Sequence, residues 1–155
     1  MKKFVYSEEK KMVQAELFAI NAMEEGQATA RLFAMADWRG EARAISPDGS
    51  SAYAIAGNEG VAFADGEASV AISGADGQAV AKGERSVALA EMDGEAISGP
   101  GGVSMFWEGG RGKTGLEGSL IGFRFGRWYT AECPGEVKPD TFYRVGERGV
   151  FEECE

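Results

Sequence analysis

Small and large side chains alternate along the middle of this chain. Between residues 51 and 98, runs such as Tyr53-Ala54-Ile55 place alanine at every second position. A period of two is typical of β-strands, and runs of about four or five residues are too short for helices. Many runs end in turn formers such as Asp76-Gly77, where glycine accepts the positive φ that other residues resist. The pattern predicts short strands joined by tight turns.

The strands recur with a seventeen-residue period in the centre of the chain. Three aligned columns each hold one residue type: Ala54/Ala71/Ala88, Ala62/Ala79/Ala96 and Gly60/Gly77/Gly94. Each period contains two strands, and a two-strand unit that repeats by translation fits a coil better than a series of hairpins. Successive coils are expected to stack in parallel at roughly 4.8 Å. We therefore predict an all-β fold, a narrow parallel β-solenoid of about six coils.

The 155 residues fit one domain with a cap at each end. Looser repeats precede the central ones, because LFAINA (17–22) resembles LFAMAD (32–37). The solenoid is predicted to cover residues 12–108. An N-terminal cap (1–11) and a small antiparallel β cap (109–155) flank it, since bare solenoid ends expose unpaired strand edges. A helix over residues 8–24, capped by Ser7, is an alternative for the N-terminal segment.

The two faces of the predicted strands carry different residues, alanine and serine on one and larger apolar residues on the other. Charged residues such as Lys82 and Glu95 share the parity of the larger set, and unpaired charges are almost never buried. We favour an interior of alanine and serine, and the reverse arrangement stays open. Either one leaves an apolar face to cover, so a homodimer or trimer is expected. The candidate oligomer interface comprises Tyr53, Ile55, Phe63, Val70, Ile72, Val80, Val87, Leu89 and Ile97.

The net charge of −9 disfavours direct binding to nucleic acid or to anionic membrane surfaces. No stretch approaches the roughly 18 apolar residues of a membrane span, and the N-terminus lacks the apolar core of a signal peptide. The expected location is the cytoplasm. A disulfide between Cys133 and Cys154 is one alternative, but reduced thiols are expected there, since disulfides are rare in that compartment.

The sequence predicts no catalytic residue, metal site or cofactor. It contains no histidine, which removes histidine-based triads, most zinc sites and the commonest general base. Gly112-Lys113-Thr114 partly matches a phosphate-binding loop, but Trp107 stands where that motif needs its first glycine. The glycine–aspartate repeat of calcium-binding solenoids is also missing. We expect a binding protein and not an enzyme.

Three segments carry a family resemblance. They are Ser86-Val87-Ala88-Leu89, Gly118-Ser119-Leu120-Ile121-Gly122, and Lys138-Pro139-Asp140-Thr141-Phe142-Tyr143 followed by Gly149-Val150-Phe151. They resemble the GxxSxA-type repeats, the closing segment and the KPDTWY-like tail of a family of uncharacterised phage and prophage proteins. The SVAI-type repeats are also similar, more weakly, to the head of trimeric autotransporter adhesins. The phage resemblance implies a solenoid and a phage or prophage genomic setting, so the cytoplasm would be that of the host cell, and it implies no known activity.

The distribution of charge suggests how the protein binds. Between Asp48 and Glu108 there are ten acidic residues and two basic ones, so nearly the whole net charge lies on the predicted solenoid. A rigid acidic rod is suited to a basic, nucleic-acid-binding surface on a protein partner. In a phage setting this predicts an inhibitor of a host defence complex, similar to an anti-CRISPR protein. The candidate partner-binding residues are Glu59, Asp65, Glu67, Asp76, Glu84 and Asp93.

Two other binding roles remain open. The protein is alternatively a structural or assembly component that acts through oligomerisation, with the acidic residues serving only solubility. A third hypothesis is a module that binds carbohydrate or a host surface through Trp107, Trp128 and Tyr129.

Overall fold

Short strands make up the fold. The computed structural model describes residues 5–7, 12–14, 18–21 and 26–155, and within them it contains eighteen strands and no helix. In chain order the strands are β1 (Val5–Ser7), β2 (Met12–Gln14), β3 (Phe18–Asn21), β4 (Gln27–Ala30), β5 (Phe33–Ala36), β6 (Glu41–Ile45), β7 (Tyr53–Ala56), β8 (Val61–Asp65), β9 (Val70–Ser73), β10 (Gln78–Ala81), β11 (Val87–Ala90), β12 (Glu95–Ser98), β13 (Val103–Phe106), β14 (Arg111–Lys113), β15 (Ser119–Arg124), β16 (Arg127–Glu132), β17 (Tyr143–Val145) and β18 (Phe151–Glu153). The predicted all-β class is confirmed.

The strands form two sheets that wind into a parallel β-solenoid. Even-numbered strands from β2 to β14 pair in parallel in sheet 1, and odd-numbered strands from β3 to β15 pair in parallel in sheet 2. The predicted alanine columns are ladders of register partners: Ala62/Ala79/Ala96 in sheet 1 and Ala54/Ala71/Ala88 in sheet 2. Seventeen residues separate partners such as Gln78 and Glu95, which confirms the predicted solenoid and its central period.

Alanine and serine fill the interior of the solenoid. Buried and partly exposed positions alternate in every strand from β8 to β13, and the alanines of both sheets belong to one core in which Ala71, Ala79 and Ala88 are 0% exposed. The buried hydroxyls bond the backbone locally: Ser69 Oγ donates to the Gly66 carbonyl at 2.6 Å, and Ser86 Oγ donates to the Ala81 carbonyl at 2.7 Å. The favoured interior is confirmed, and the reverse arrangement with the larger residues inside is wrong.

The turns that lead from sheet 2 to sheet 1 end in glycine because successive coils approach closely there. The positive φ falls on the residue before the glycine, as at Asp76 with φ 55°. Glycine follows because the coils approach closely there: a Cβ on Gly77 would lie 2.8 Å from the Gly60 carbonyl oxygen and 2.9 Å from Ser73 Cβ. The prediction that these glycines supply the positive φ is therefore wrong for this turn, where the glycine is required by space.

The parallel pairing continues beyond Glu108, through β14 and β15. It then ends in antiparallel strands, because β16 folds back along β15 while β17 and β18 cover the edge of β14. The tail residues that carry the family resemblance hold this end together. Tyr143 is buried, its hydroxyl accepts a hydrogen bond from the Lys138 N–H at 3.1 Å, and the Lys138 side chain bonds Glu153 at 3.0 Å. The small antiparallel end predicted from the sequence is confirmed.

At the other end, β1 pairs antiparallel with β2 on the edge of sheet 1. The strands β2 and β3 exclude the alternative of one continuous helix over residues 8–24. The rest of the predicted N-terminal cap, residues 1–4 and 8–11, lies outside the described residues.

Candidate functional site

The solenoid has two edges, each formed by one set of turns. The turns from sheet 2 to sheet 1 (37–40, 57–60, 74–77, 91–94 and 107–110) form one edge, which we call the acidic edge. They contain six acidic side chains and one arginine: Asp37, Glu59, Asp76, Glu91, Asp93, Glu108 and Arg39. Over the described ranges, the opposite turns (31–32, 46–52, 66–69, 82–86, 99–102 and 114–118), which we call the mixed edge, contain four acidic and three basic side chains: Asp48, Glu67, Glu84, Glu117, Arg31, Lys82 and Arg85. The negative charge is therefore concentrated on one edge of the solenoid.

Asp76 and Asp93 occupy equivalent positions in successive turns of the acidic edge. Their φ angles are 55° and 57°, and each backbone N–H donates to a carbonyl of the next coil, that of Met92 at 2.9 Å and that of Glu108 at 3.1 Å. This bonding fixes both side chains on the outside of the edge, where they are exposed. Among the described residues, no lysine or arginine lies within 4.0 Å of either carboxylate.

Glu59, the first member of the predicted ladder, is already paired. Arg39 Nε donates to its carboxylate at 2.7 Å, and Trp38 Nε1 donates at 3.3 Å. These bonds, with that to Arg39 the stronger, lower the pKa of Glu59 from its usual value. The free negative charge of the acidic edge therefore lies towards Asp76, Glu91, Asp93 and Glu108.

The other predicted acidic residues lie elsewhere. Glu67 and Glu84 lie on the mixed edge, where Arg85 forms an ion pair with Glu67. Asp65 is the last residue of β8 and lies beside this edge, lining a shallow groove together with Glu67 and Glu84. The six predicted partner-binding residues thus do not share one surface, because the turns that carry them lie at opposite ends of the strands.

The nine residues predicted as an oligomer interface also separate. The two ladders Tyr53/Val70/Val87 and Ile55/Ile72/Leu89 lie on the outward side of sheet 2, whereas Phe63, Val80 and Ile97 form a ladder on the outward side of sheet 1. Since both sheets share one core, these two outward faces point away from each other. The sequence could not distinguish them, because both strands of a coil have the same alternation.

The outward side of sheet 2, which we call the apolar face, carries no charge from β3 to β15. Its members are Phe18, Ile20, Phe33, Met35, Tyr53, Ile55, Val70, Ile72, Val87, Leu89, Val103, Met105, Ser119 and Ile121. Several of the large side chains are well exposed, Phe18 and Ile20 at 59% each and Tyr53 at 41%. A continuous, uncharged apolar surface of this kind is often functional and indicates an interaction site.

The outward side of sheet 1 is polar by comparison. Glu95 accepts hydrogen bonds from Gln78 at 2.8 Å and from Arg111 Nε at 2.9 Å, within one ladder along the sheet. Phe63 lies between two cations, with Arg43 at 5.4 Å and Lys82 at 5.0 Å from the ring centre. The apolar residues predicted on this sheet therefore form one short ladder that is bordered by charged residues.

An aromatic cluster lies where the solenoid meets the antiparallel end. Trp128 contacts Trp107 at 5.1 Å and Phe123 at 4.9 Å between ring centres. Tyr129 points to the other side of β16, where its ring lies against Gly149. The three residues suggested for carbohydrate binding thus do not form one platform.

Gly112-Lys113-Thr114, which partly matches a phosphate-binding loop, lies in and directly after a strand. Gly112 and Lys113 belong to β14, and Thr114 is 1% exposed, accepting from Ser98 Oγ at 3.0 Å and donating to the Gly102 carbonyl at 3.2 Å. These contacts give the segment a structural role inside the last coil.

Neither cysteine forms a disulfide, and burial raises the pKa of both the Cys133 and the Cys154 thiol. In the part of the chain that the structure describes, no three acidic or cysteine side chains are grouped so that they could hold a metal ion. No helix in that part is long and apolar enough to cross a membrane.

No family model matches the chain, and no curated protein or solved structure is significantly similar to it. What the protein does is therefore argued from its own surfaces, of which the acidic edge and the apolar face are the two most distinctive.

Proposed function

We propose that this chain is a non-enzymatic binding protein that docks its acidic edge on a basic surface of a partner protein. The observation that carries the proposal is the arrangement of Asp76 and Asp93. Both are exposed, held in equivalent turns by backbone bonds, and free of a neighbouring lysine or arginine among the described residues. Rigid carboxylates at a spacing of roughly 4.8 Å suit a row of cations on a partner.

The class of partner follows from the same charges. Surfaces that bind nucleic acid are rich in lysine and arginine, and they attract an acidic edge with the same electrostatic force. With the phage resemblance, this supports an inhibitor that occupies the nucleic-acid-binding surface of a host defence complex, in the manner of an anti-CRISPR protein. Such an inhibitor works in the cytoplasm of the host and needs no cofactor.

The test compares two sets of charge-neutralising substitutions. Asp76→Asn, Glu91→Gln and Asp93→Asn remove three charges from the acidic edge, and asparagine tolerates the left-handed backbone of the two aspartates. The control set, Glu67→Gln, Glu84→Gln and Glu117→Gln, removes the same charge from the mixed edge. Binding to a purified, RNA-guided defence complex is measured by competition with its nucleic acid at low and high salt.

We expect the acidic-edge set to weaken binding at least tenfold and to reduce its salt dependence, because fewer counterions are released. The control set should retain most of the affinity. Equal losses for both sets would mean that only net charge matters, which would contradict docking through one edge. Unchanged binding by the acidic-edge set would reduce the acidic residues to a role in solubility.

A further inference from the structure

Within the described part of the chain, the apolar face is the one large surface of the solenoid without charge. Both outward positions of each sheet 2 strand from β3 to β13, and the outward Ser119, Ile121 and Phe123 of β15, are uncharged. Sheet 1 carries ion pairs such as Arg43–Glu41 and Arg111–Glu95, and both edges carry carboxylates. With a net charge of −9, two copies that approach through other surfaces repel each other. The apolar face is where that repulsion is smallest and apolar contact is greatest.

The area of this face is close to the lower limit for a specific contact. Seven strands at roughly 4.8 Å and about four residues of roughly 3.3 Å each give a face of about 34 by 13 Å. That is roughly 450 Å² in projection on each copy, or roughly 900 Å² for two before side-chain relief is counted, close to the ~1,000 Å² at which specific interfaces begin.

The spacing of the side chains selects the partner. The face consists of two long ladders, including Tyr53/Val70/Val87 and Ile55/Ile72/Leu89, whose members repeat at the strand spacing. A surface whose ridges repeat at the same spacing interdigitates along the whole length, as stacked β-sheets do. A second copy of this chain has that spacing and the same lack of charge.

From these observations we propose that two copies pack face to face through their apolar faces and form a two-fold homodimer. The contact is isologous, so the same residues of both copies meet, and it closes without leaving a free apolar face. Since each copy then buries one face and keeps its acidic edge at the rim, the dimer presents two acidic edges to solvent. The pairing does not depend on the proposed function of those edges.

The mass of the protein in solution tests the proposal. Light scattering on the wild-type chain at micromolar to submillimolar concentrations should give twice the monomer mass of 16.5 kDa. Ile72→Asp and Leu89→Asp each place a charge in the centre of the contact and should raise the dimer dissociation constant roughly 100-fold or more. The matched control is Val80→Asp, an outward residue at the neighbouring position of sheet 1, which should remain dimeric.

Circular dichroism of each variant checks that the β-structure is intact. If Ile72→Asp fails to fold, Ile72→Thr keeps a β-branched residue and should still weaken the dimer roughly tenfold. A wild-type monomer or trimer would overturn the proposal, as would a dimer that Val80→Asp dissociates and Ile72→Asp does not. The acidic-edge variants should remain dimers, so failure of partner binding and failure of dimerisation are separable.

Discussion

The backbone of Gly112 lies against the ring of Phe106, and a Cβ on Gly112 would come within 2.6 Å of Cδ1 of that ring. On the next strand of sheet 2, a Cβ on Gly122 would lie 3.0 Å from Cε2 of the same ring. Phe106 itself is 1% exposed and contacts Phe151 edge to face at 6.2 Å. The two glycines make room for one large residue where the alanine interior ends, and this residue joins the solenoid to its antiparallel end.

This packing predicts strong coupling between Phe106 and Gly112. Phe106→Ala should destabilise the protein by about 3–5 kcal/mol, because it leaves a cavity. Gly112→Ala should cost about 1–3 kcal/mol through overpacking, and much less when Phe106 is already alanine, since the added methyl then has space. Denaturant unfolding of the two single variants and the double variant measures the coupling. Additive effects would show that the two residues do not compete for the same space.

The thin interior predicts that enlarging an inward side chain destabilises the protein more than enlarging an outward one. Ala79 is 0% exposed between Ala62 and Ala96, so Ala79→Leu should cost at least about 1–3 kcal/mol, because neither neighbouring coil can move away. For a chain of this length that lowers the melting temperature by about 2–4 °C for each kcal/mol. Val80→Leu adds volume at the next, outward position and should be nearly neutral. Equal effects in thermal denaturation would contradict the assignment of the interior.

Much of this fold could be predicted because two signals agree in the central repeats. The alanine columns at a seventeen-residue spacing predict the ladders of register partners, and charged residues at Lys82 and Glu95 exclude the larger set from the interior. Both signals are local to a coil and repeat without change. For this reason the sequence predicts the parallel stacking and favours the correct inward face, whereas the burial of the alanines in the structure decides between the two faces.

The features that the sequence does not predict lie where the repeat is irregular. The coil that contains the loop from Ser46 to Ala52 is longer, so Arg39 meets Glu59 at a separation of twenty residues, which the seventeen-residue alignment does not reveal. After Phe106 the alanine column ends and glycine increases, so the sequence predicts that the solenoid ends at residue 108, whereas Gly112 continues the sheet beside the large ring. Which acidic residues share an edge, and which apolar residues share a sheet, also depends on how the chain closes each coil in three dimensions.

Two glycine substitutions distinguish a requirement for space from a requirement for a positive φ. A Cβ on Gly77 would meet the Gly60 carbonyl oxygen at 2.8 Å, so Gly77→Ala should destabilise the protein by about 1–3 kcal/mol or more, because backbone must shift. Gly49 has a φ of 78° and nothing within 4 Å of its Cβ position, so Gly49→Ala should cost only about 1 kcal/mol of backbone strain. Chemical denaturation measures the loss of stability in both variants. A larger loss for Gly49→Ala than for Gly77→Ala would contradict this explanation.

The loop around Asp48 predicts a measurable pH dependence. Ser46 Oγ donates to the Asp48 carboxylate at 2.5 Å, Ser50 Oγ donates at 2.8 Å and the Ser50 N–H at 3.1 Å. Hydrogen bonds to the charged form favour ionisation, and they lower the pKa of Asp48 from 3.8 to about 2, with Ser46 as the largest cause.

Because the folded pKa lies below the unfolded one, the ionised carboxylate stabilises the loop above pH 3.8, and this contribution is lost as the pH falls towards 2. A carboxyl titration followed by NMR should give Asp48 a pKa of about 2 in the wild-type protein. Ser46→Ala should move that pKa towards 3.8, and Ser50→Ala should do so as well, since each removes a donor. Pro47→Ala, within the same loop but without a donor to the carboxylate, is the matched control. An Asp48 that titrates near 3.8 in the wild-type protein would show that these hydrogen bonds do not persist in solution.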